Sequence, residues 1–319
     1  MRRLAAMEMC PNSAAELSAA LAAANQQRQP VGAVDLSRLS AVLDYAPEDL
    51  TITVEAGLTL AELQEQLRKN GQWLPVDPPC PEKLTLAALI DQNASGPRRY
   101  GYGPIREHLL GLTAVLADGR IVKSGGKVVK NVAGYDLHKL FVGAEGSLGV
   151  IVGVSLKLRP LPEAEHFLAV DCPNWTRAEE LANALLNSEL TPVVLDLHHV
   201  SVPPPRGVAR LVIGFAGLRE EVAWQVERAQ KQGLAEAGDL AYDREFVARG
   251  ASSRVSVLPS RVCEVLATMG SEPFVARLGN GVIYHQGAVA TANPGAPDRL
   301  AKRLKDAFDP HHILPSLDA

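Results

Sequence analysis

The chain is short of the features that mark several large protein classes. Its 319 residues hold only four cysteines, Cys10, Cys80, Cys172 and Cys263, dispersed singly with no Cys-x-x-Cys pair. That spacing removes the usual zinc and dithiol signatures, gives no four-cysteine iron–sulfur site, and fits a reducing cytoplasm. Aromatic residues make up 5% of the chain, and 32 basic against 36 acidic residues leave a formal net charge of −4. So balanced a surface argues against a polyanion-binding face, and nucleic acid is not an expected partner. No apolar run approaches the roughly 18 residues needed to span a bilayer. Met1-Arg2-Arg3 and the apolar residues after it have the outline of a secretory leader, but Glu8 and Glu16 interrupt them and Ser13-Ala-Ala-Glu16 reads as a helix capping box. Work at a membrane is therefore expected to depend on a partner, with no direct insertion. The motifs GxSxG, GxxxxGK[ST] and HExxH are all missing, which takes away the minimum parts of hydrolase, NTPase and metalloprotease readings.

What is present is apolar patterning and punctuation. At 47% apolar residues the chain can bury a sizeable core, and its length suits two domains better than one. From Ser13 to about Asn25 the spacing of Leu17 and Leu21 predicts an amphipathic helix. Thr51-Ile-Thr-Val54 alternates as a strand, Thr59-Leu-Ala-Glu62 caps a helix that Gly71 stops, and the prolines of 72–84 predict an extended loop. A short helix is expected over 85–92, a hairpin over 110–122 turning at Asp118-Gly119, and a strand over 150–158. Pro160-Leu-Pro162 is the candidate linker. Beyond it the pattern predicts strands at 166–171, 193–199, 208–216, 253–258, 273–278 and 281–285. Helices are predicted at 176–187, 218–232 and 259–269, and a last one at about 297–308 that returns to the first domain. This order suits a small antiparallel sheet with helices on one face, an elaborated ferredoxin-like plan, and an α+β class overall.

Four stretches carry the chemistry: Pro78-Pro-Cys-Pro-Glu-Lys-Leu-Thr85, Gln92-Asn-Ala-Ser-Gly-Pro-Arg-Arg-Tyr-Gly101, Lys127-Val-Val-Lys-Asn-Val-Ala-Gly-Tyr-Asp-Leu137 and Phe141-Val-Gly-Ala-Glu-Gly-Ser-Leu-Gly-Val-Ile151. A dinucleotide needs backbone amides close to its pyrophosphate and flat backbone edges beside its rings, and glycine-rich loops meet both needs. Ordinary turns at domain edges would account for any one of these glycines taken singly.

Together and in this order the four stretches resemble the FAD-binding domain of the vanillyl-alcohol oxidase and p-cresol methylhydroxylase (PCMH) superfamily, over roughly residues 10–160. Within that, "SGPRRYGYGPIREHLLGL", "VVKNVAGYDLHKLFVGAEGSLGVI" and the closing "KRLKDAFDPHHIL" are similar to the small flavin subunits of glycolate oxidase. The resemblance implies a two-lobed PCMH-type fold: a FAD-binding domain over 1–160, a cap or substrate domain over 161–295, and a C-terminal helix over 296–319. It further implies FAD as cofactor, oxidation of a small 2-hydroxy acid such as glycolate, and a complex with a larger flavin subunit and an iron–sulfur subunit. Pro79 through Thr85 and the run Asn93, Ala94, Ser95, Gly96 would lie beside flavin and pyrophosphate, with Arg99, Tyr100 and Gly101 following. Glu145, Gly146, Leu148, Gly149, Val150 and Ile151 would offer backbone edges to the far part of the cofactor. Arg99 and Arg106 would bring positive charge to phosphate or an anionic substrate; the plain alternative is a surface arginine paired with an acid such as Glu107.

Two departures stand out against that pattern. The strand and Gly-Gly-Gly-Thr type turn expected after the first helix are replaced by Gln29-Pro-Val-Gly-Ala-Val-Asp35, and Thr85-Leu-Ala-Ala88 stands where a Gly-Gly pair is expected. Both weaken a pyrophosphate cradle. A cofactor-free scaffold subunit is accordingly the rival reading. Oxidising a 2-hydroxy acid needs a base for the hydroxyl proton, but the sequence names no catalytic residue. His198 and His199 would point to opposite faces of one strand, His311-His312 fall in a turn, His138 reads as a surface residue, and His285 beside Tyr284 is the one histidine worth testing. Pro203-Pro-Pro205 reads as a stiff loop or a partner-binding segment.

Overall fold

The computed structural model describes residues 6–126, 136–200, 207–270, 272–286 and 299–316. The Lys127–Tyr135 part of the third motif and the Pro203–Pro205 run lie outside them.

The first helix, Ala14–Gln27, starts where its cap says it should: the Ser13 side chain accepts from the Glu16 amide. The Glu16 carboxylate reaches past the N-cap to the Asn12 amide at 2.9 Å, so the box closes one residue early. Thr59 and Glu62 form the full reciprocal box ahead of Leu60–Arg68. Leu17, Leu21, Leu60, Leu63 and Leu67 face inward and are buried, as the 3.6-residue period requires.

These helices cover a five-stranded antiparallel sheet in the order Val42–Ala46, Thr51–Glu55, Val150–Lys157, Leu109–Val115, Ile121–Gly125. A short parallel pair, Met7–Met9 with Val31–Val34, stands beside it. The strand expected after the first helix is therefore present, and only the glycine turn is absent. Gln72–Trp73, inside the stretch expected to be irregular, pairs with Arg159–Pro160 and the Trp73 indole donates to the Pro160 carbonyl.

The second sheet has seven strands, in the order Glu236–Ala237, Ala164–Cys172, Ala209–Gly217, Val194–His199, Phe274–Arg277, Val282–His285, Ser253–Ser256. Its first four strands, numbered along the chain, run 4-1-3-2, the order of a ferredoxin-like βαββαβ unit. Helices Trp175–Leu186, Arg219–Lys231 and Val262–Thr268 cover one face through Leu181, Leu185, Val222 and Leu266. A helix with no sequence expectation, Ala241–Ala248, lies on the other face through Tyr242 and Phe246. The helices thus occupy both faces, contrary to the one-face expectation. The reason is alternation: Leu195 and Leu197 face the larger core while Asp196 and His198 face the opposite way. The last helix, Arg299–Phe308, packs Leu304 and Phe308 onto the core of the first sheet.

Gly57 marks the tightest backbone approach in the first core. A Cβ there would fall 1.8 Å from the Leu36 carbonyl oxygen, and its amide donates to Leu39 at 2.9 Å. Gly57→Ala is expected to destabilise the protein by about 2–4 kcal/mol, because backbone must move to admit one methyl group. Chemical denaturation would read this loss, and a change below about 0.5 kcal/mol would contradict the packing described.

Candidate functional site

The residues singled out in the sequence gather in two places. One lies where the Arg98–Gly101 segment meets the second sheet. Gly101 rests on Val193, to whose carbonyl its amide donates at 3.1 Å, and a Cβ on Gly101 would come within 2.5 Å of the Val193 Cα. The Tyr100 ring lies on Gly279 in the same way. Arg98 ties the join together, bonding Asp77 at 3.0 Å and Glu165 at 2.9 Å and covering the rings of Trp73 and Phe167. Gly96 is required because the Asp77 carbonyl occupies the space of a side chain. Pro79 lines a cleft of about 1050 Å³ between the two sheets, together with Trp73, Asp77, Arg98, Glu165 and Asp243.

At this join Arg99 is half-buried and donates to the Ser95 hydroxyl at 3.3 Å. Burial, followed by the like charges of Arg254 and Arg277, holds its guanidinium below the usual arginine range. No described carboxylate pairs with it. Tyr284 sits opposite Arg254 in the strand register. Beneath Tyr284, Arg277 stacks at 5.9 Å and is clamped by Asp196 and Asp243; the Tyr242 hydroxyl closes the network on Asp196 at 2.6 Å. The result is a buried floor whose own guanidinium is taken up by two carboxylates, with Arg99 and Arg254 as the guanidinium groups open to an anion beside it. Arg106 is elsewhere: it donates to the Lys139 carbonyl at 2.8 Å and is exposed.

The second place is a cavity of about 500 Å³ whose lining includes Thr85, Glu145, Gly146, Val150 and Ile151 from the predicted set. Gly32, Asp35, Ala87, Ala88, Asp91 and Pro315 complete much of the wall. Gly146 has φ +72° with open space where a side chain would stand, a backbone edge suited to a flat ligand. Leu148 is buried in the core, and Gly149 turns against the Val115 carbonyl. Asn93 takes a left-handed φ of 48° with its Oδ1 buried and without a described partner, and Ala94 packs on the first core.

One histidine contradicts its sequence reading. His138 is buried, at 3% exposure, against Ser124 and is not a surface residue. His285 is buried on the face it shares with Ile283 and Phe274, opposite to that of Tyr284. His198 and His199 do face opposite ways: His198 stacks on Tyr242 at 4.2 Å, and His199 bonds the Val208 carbonyl at 3.0 Å. Asp91, Arg254 and Tyr284 were not singled out in the sequence. Arg254 and Tyr284 lie 30 positions apart and become neighbours only through strand register.

Burial pulls the His198 imidazole down to about 3, so the folded protein keeps it neutral while the unfolded chain takes up a proton below about 6.5. Stability is therefore lost as pH falls from about 6.5 towards 3, at up to about 1.4 kcal/mol per pH unit from this group. His198→Phe, which keeps a ring on Tyr242, is expected to flatten the stability profile between pH 6 and pH 4 in urea titrations. Equal slopes for the two proteins would contradict this.

Comparison with known proteins places these observations. A family model described as a FAD binding domain matches residues 32–125. The glycolate oxidase subunit GlcD of Bacillus subtilis (strain 168) is 34% identical over 158 residues, 50% of this chain and 34% of that protein. The glycolate oxidase subunit GlcE of Escherichia coli (strain K12) is 39% identical over 124 residues, 39% of this chain and 35% of that protein. A probable mitochondrial D-lactate dehydrogenase of Danio rerio is 42% identical over 132 residues, 40% of this chain and 26% of that protein. The chain thus spans about a third of the length of these curated relatives. Among solved structures, alkyldihydroxyacetonephosphate synthase superposes with a TM-score of 0.71 over 96% of this chain and 76% of that one, at 17% identity, a likeness of fold.

Tested against FAD, the second cavity divides. Its backbone edges and open glycine fit a nucleoside, but its residues do not fit a diphosphate: Asp35, Asp91 and Glu145 line it, and no lysine or arginine does among the described residues. The first amides of helix Leu86–Asp91 are already engaged, by Leu58, Ala56 and the Thr85 side chain. The match to a FAD binding domain over residues 32–125, together with the relatives above, supports FAD as the group this region is similar in binding, while the lining of the cavity opposes its diphosphate.

Proposed function

We propose that this chain is a subunit of a FAD-linked oxidoreductase that oxidises a small 2-hydroxy acid, glycolate being the first candidate, to the 2-oxo acid. The reading takes residues 1–160 as the flavin lobe, 161–295 as the cap and 296–319 as the returning segment. Arg99 at the motif loop, without a described carboxylate partner and facing Arg254 and Tyr284 of the second sheet, is the observation that carries it. A 2-hydroxy acid is an anion with one hydroxyl beside its carboxylate. Two guanidinium groups hold the carboxylate, and the Tyr284 and Ser95 hydroxyls lie next to it as hydrogen-bond partners for the substrate. The floor of Arg277, Asp196 and Asp243 holds the Arg277 guanidinium under Tyr284 and commits that charge to its two carboxylates, which leaves Arg99 and Arg254 as the groups for the anion.

A larger flavin subunit and an iron–sulfur subunit are the partners of this reading, the names of the two glycolate oxidase relatives being subunit names. No helix among the described residues is long and apolar enough to cross a membrane; the proposed place is the cytoplasm, with any membrane association through partners. A non-catalytic scaffold is the second reading, and the carboxylate-lined nucleotide cavity favours it.

Assay of the complex purified with its neighbouring subunits tests the proposal. Removing a charge-assisted contact of about 1.5–3 kcal/mol should make Arg99→Met raise the KM for glycolate roughly ten- to a hundredfold, with Arg99→Lys between it and the wild type. An unchanged KM, or full activity of a complex lacking this chain, would turn the assignment over to the scaffold reading.

A further inference from the structure

The proposed flavin role leaves one feature unexplained: the nucleotide cavity is walled by acid. Asp35, Asp91 and Glu145 come from three separate segments, the end of strand Val31–Val34, the end of helix Leu86–Asp91 and the loop before Val150. Among the described residues, the cations near this wall are committed. Lys305 is buried and bonded to Asp309 at 2.7 Å, with the Ser147 and Leu314 carbonyls completing its shell. Arg38 bonds the Asn12 side chain at 2.9 Å and lends its charge to Asp35 and Glu16.

Asp35 is itself satisfied, accepting from the Ser37 amide at 2.9 Å and from the Cys10 thiol. Asp91 differs. It accepts from the Gly146 amide, yet its Oδ1 is buried without a described partner. The Glu145 amide donates to the Asp91 main-chain carbonyl at 3.0 Å, which fixes the two carboxylates in the same wall.

We infer that Asp91, supported by Glu145, sets this chain's discrimination against the diphosphate of a dinucleotide, so that FAD binds weakly while Asp91 is charged and tightly once it is neutral. A doubly charged diphosphate brought beside a desolvated carboxylate is repelled, because few waters remain to screen the pair. A protonated Asp91, or an asparagine there, offers that same ligand a hydrogen-bond donor in place of a like charge. Burial, then the neighbouring Glu145 charge, push the Asp91 carboxyl up to about 7 against the pull of the Gly146 amide. The switch between the two states therefore falls between pH 6 and pH 8.

The inference rests on the flavin reading of this cavity, and one experiment separates the two. The full chain is stripped of flavin and titrated with FAD, by quenching of flavin fluorescence, at pH 6 and pH 8, as wild type, Asp91→Asn and Glu145→Gln. Wild type is expected to bind FAD roughly five- to tenfold more weakly at pH 8 than at pH 6, the most that one carboxyl titrating near 7 can give over this interval. Asp91→Asn is expected to bind tightly at both, and Glu145→Gln to fall between. Asparagine keeps an acceptor for the Gly146 amide, and circular dichroism confirms that each variant is folded. Equal, tight binding by wild type and Asp91→Asn at pH 8 overturns the inference and leaves the flavin reading standing. Failure of every protein to bind FAD at either pH overturns both.

Discussion

The geometry of the candidate site depends on two places where backbone must meet a neighbour without a side chain between them. Gly101 lies against Val193, and Gly279 lies under the Tyr100 ring. Through these contacts the loop that follows the first core docks on the second sheet, and Arg98 secures the join by reaching Asp77 on one side and Glu165 on the other. Van der Waals contact at this range is unforgiving: one methyl group at either glycine would part the surfaces. Arg99 owes its position to this docking, and so does its distance from any carboxylate that would quench it.

Charge is then divided between the two ends of the molecule's candidate site. At the join, Arg98 and Arg277 take up the carboxylates, while Arg99 has no described carboxylate partner and feels the like charge of Arg254. At the nucleotide cavity the imbalance has the opposite sign, with Asp35, Asp91 and Glu145 on the wall and Lys305 neutralised by Asp309. The anionic substrate proposed above suits the first region, and a diphosphate is opposed at the second. The cavity's backbone edges nonetheless keep the shape of a nucleotide site, which is why the domain match and the local electrostatics point in different directions.

Much of the fold could be read directly from residues. Ser13, Thr59, Thr85 and Asn174 each cap the helix that follows, since a short side-chain oxygen replaces an amide partner whatever lies around it. The alternation of Val194–His199 placed His198 and His199 on opposite faces, because the pleat is a property of the chain itself. Readings that needed to know what covers a face went astray. His138 has polar neighbours in sequence but is enclosed by Ser124 and the end of the hairpin.

By itself, then, the sequence determined the caps, the glycine-bearing loops, the α+β class and the family resemblance, all of them consequences of residue type and spacing over a few positions. Only the tertiary structure decided that the chosen residues fall into two separate regions. It also decided that Arg254 and Tyr284 complete the first and that Asp91 dominates the second. Strand register and desolvation are sums over residues far apart in the chain, and no local pattern encodes the sign of the charge that such a sum leaves behind.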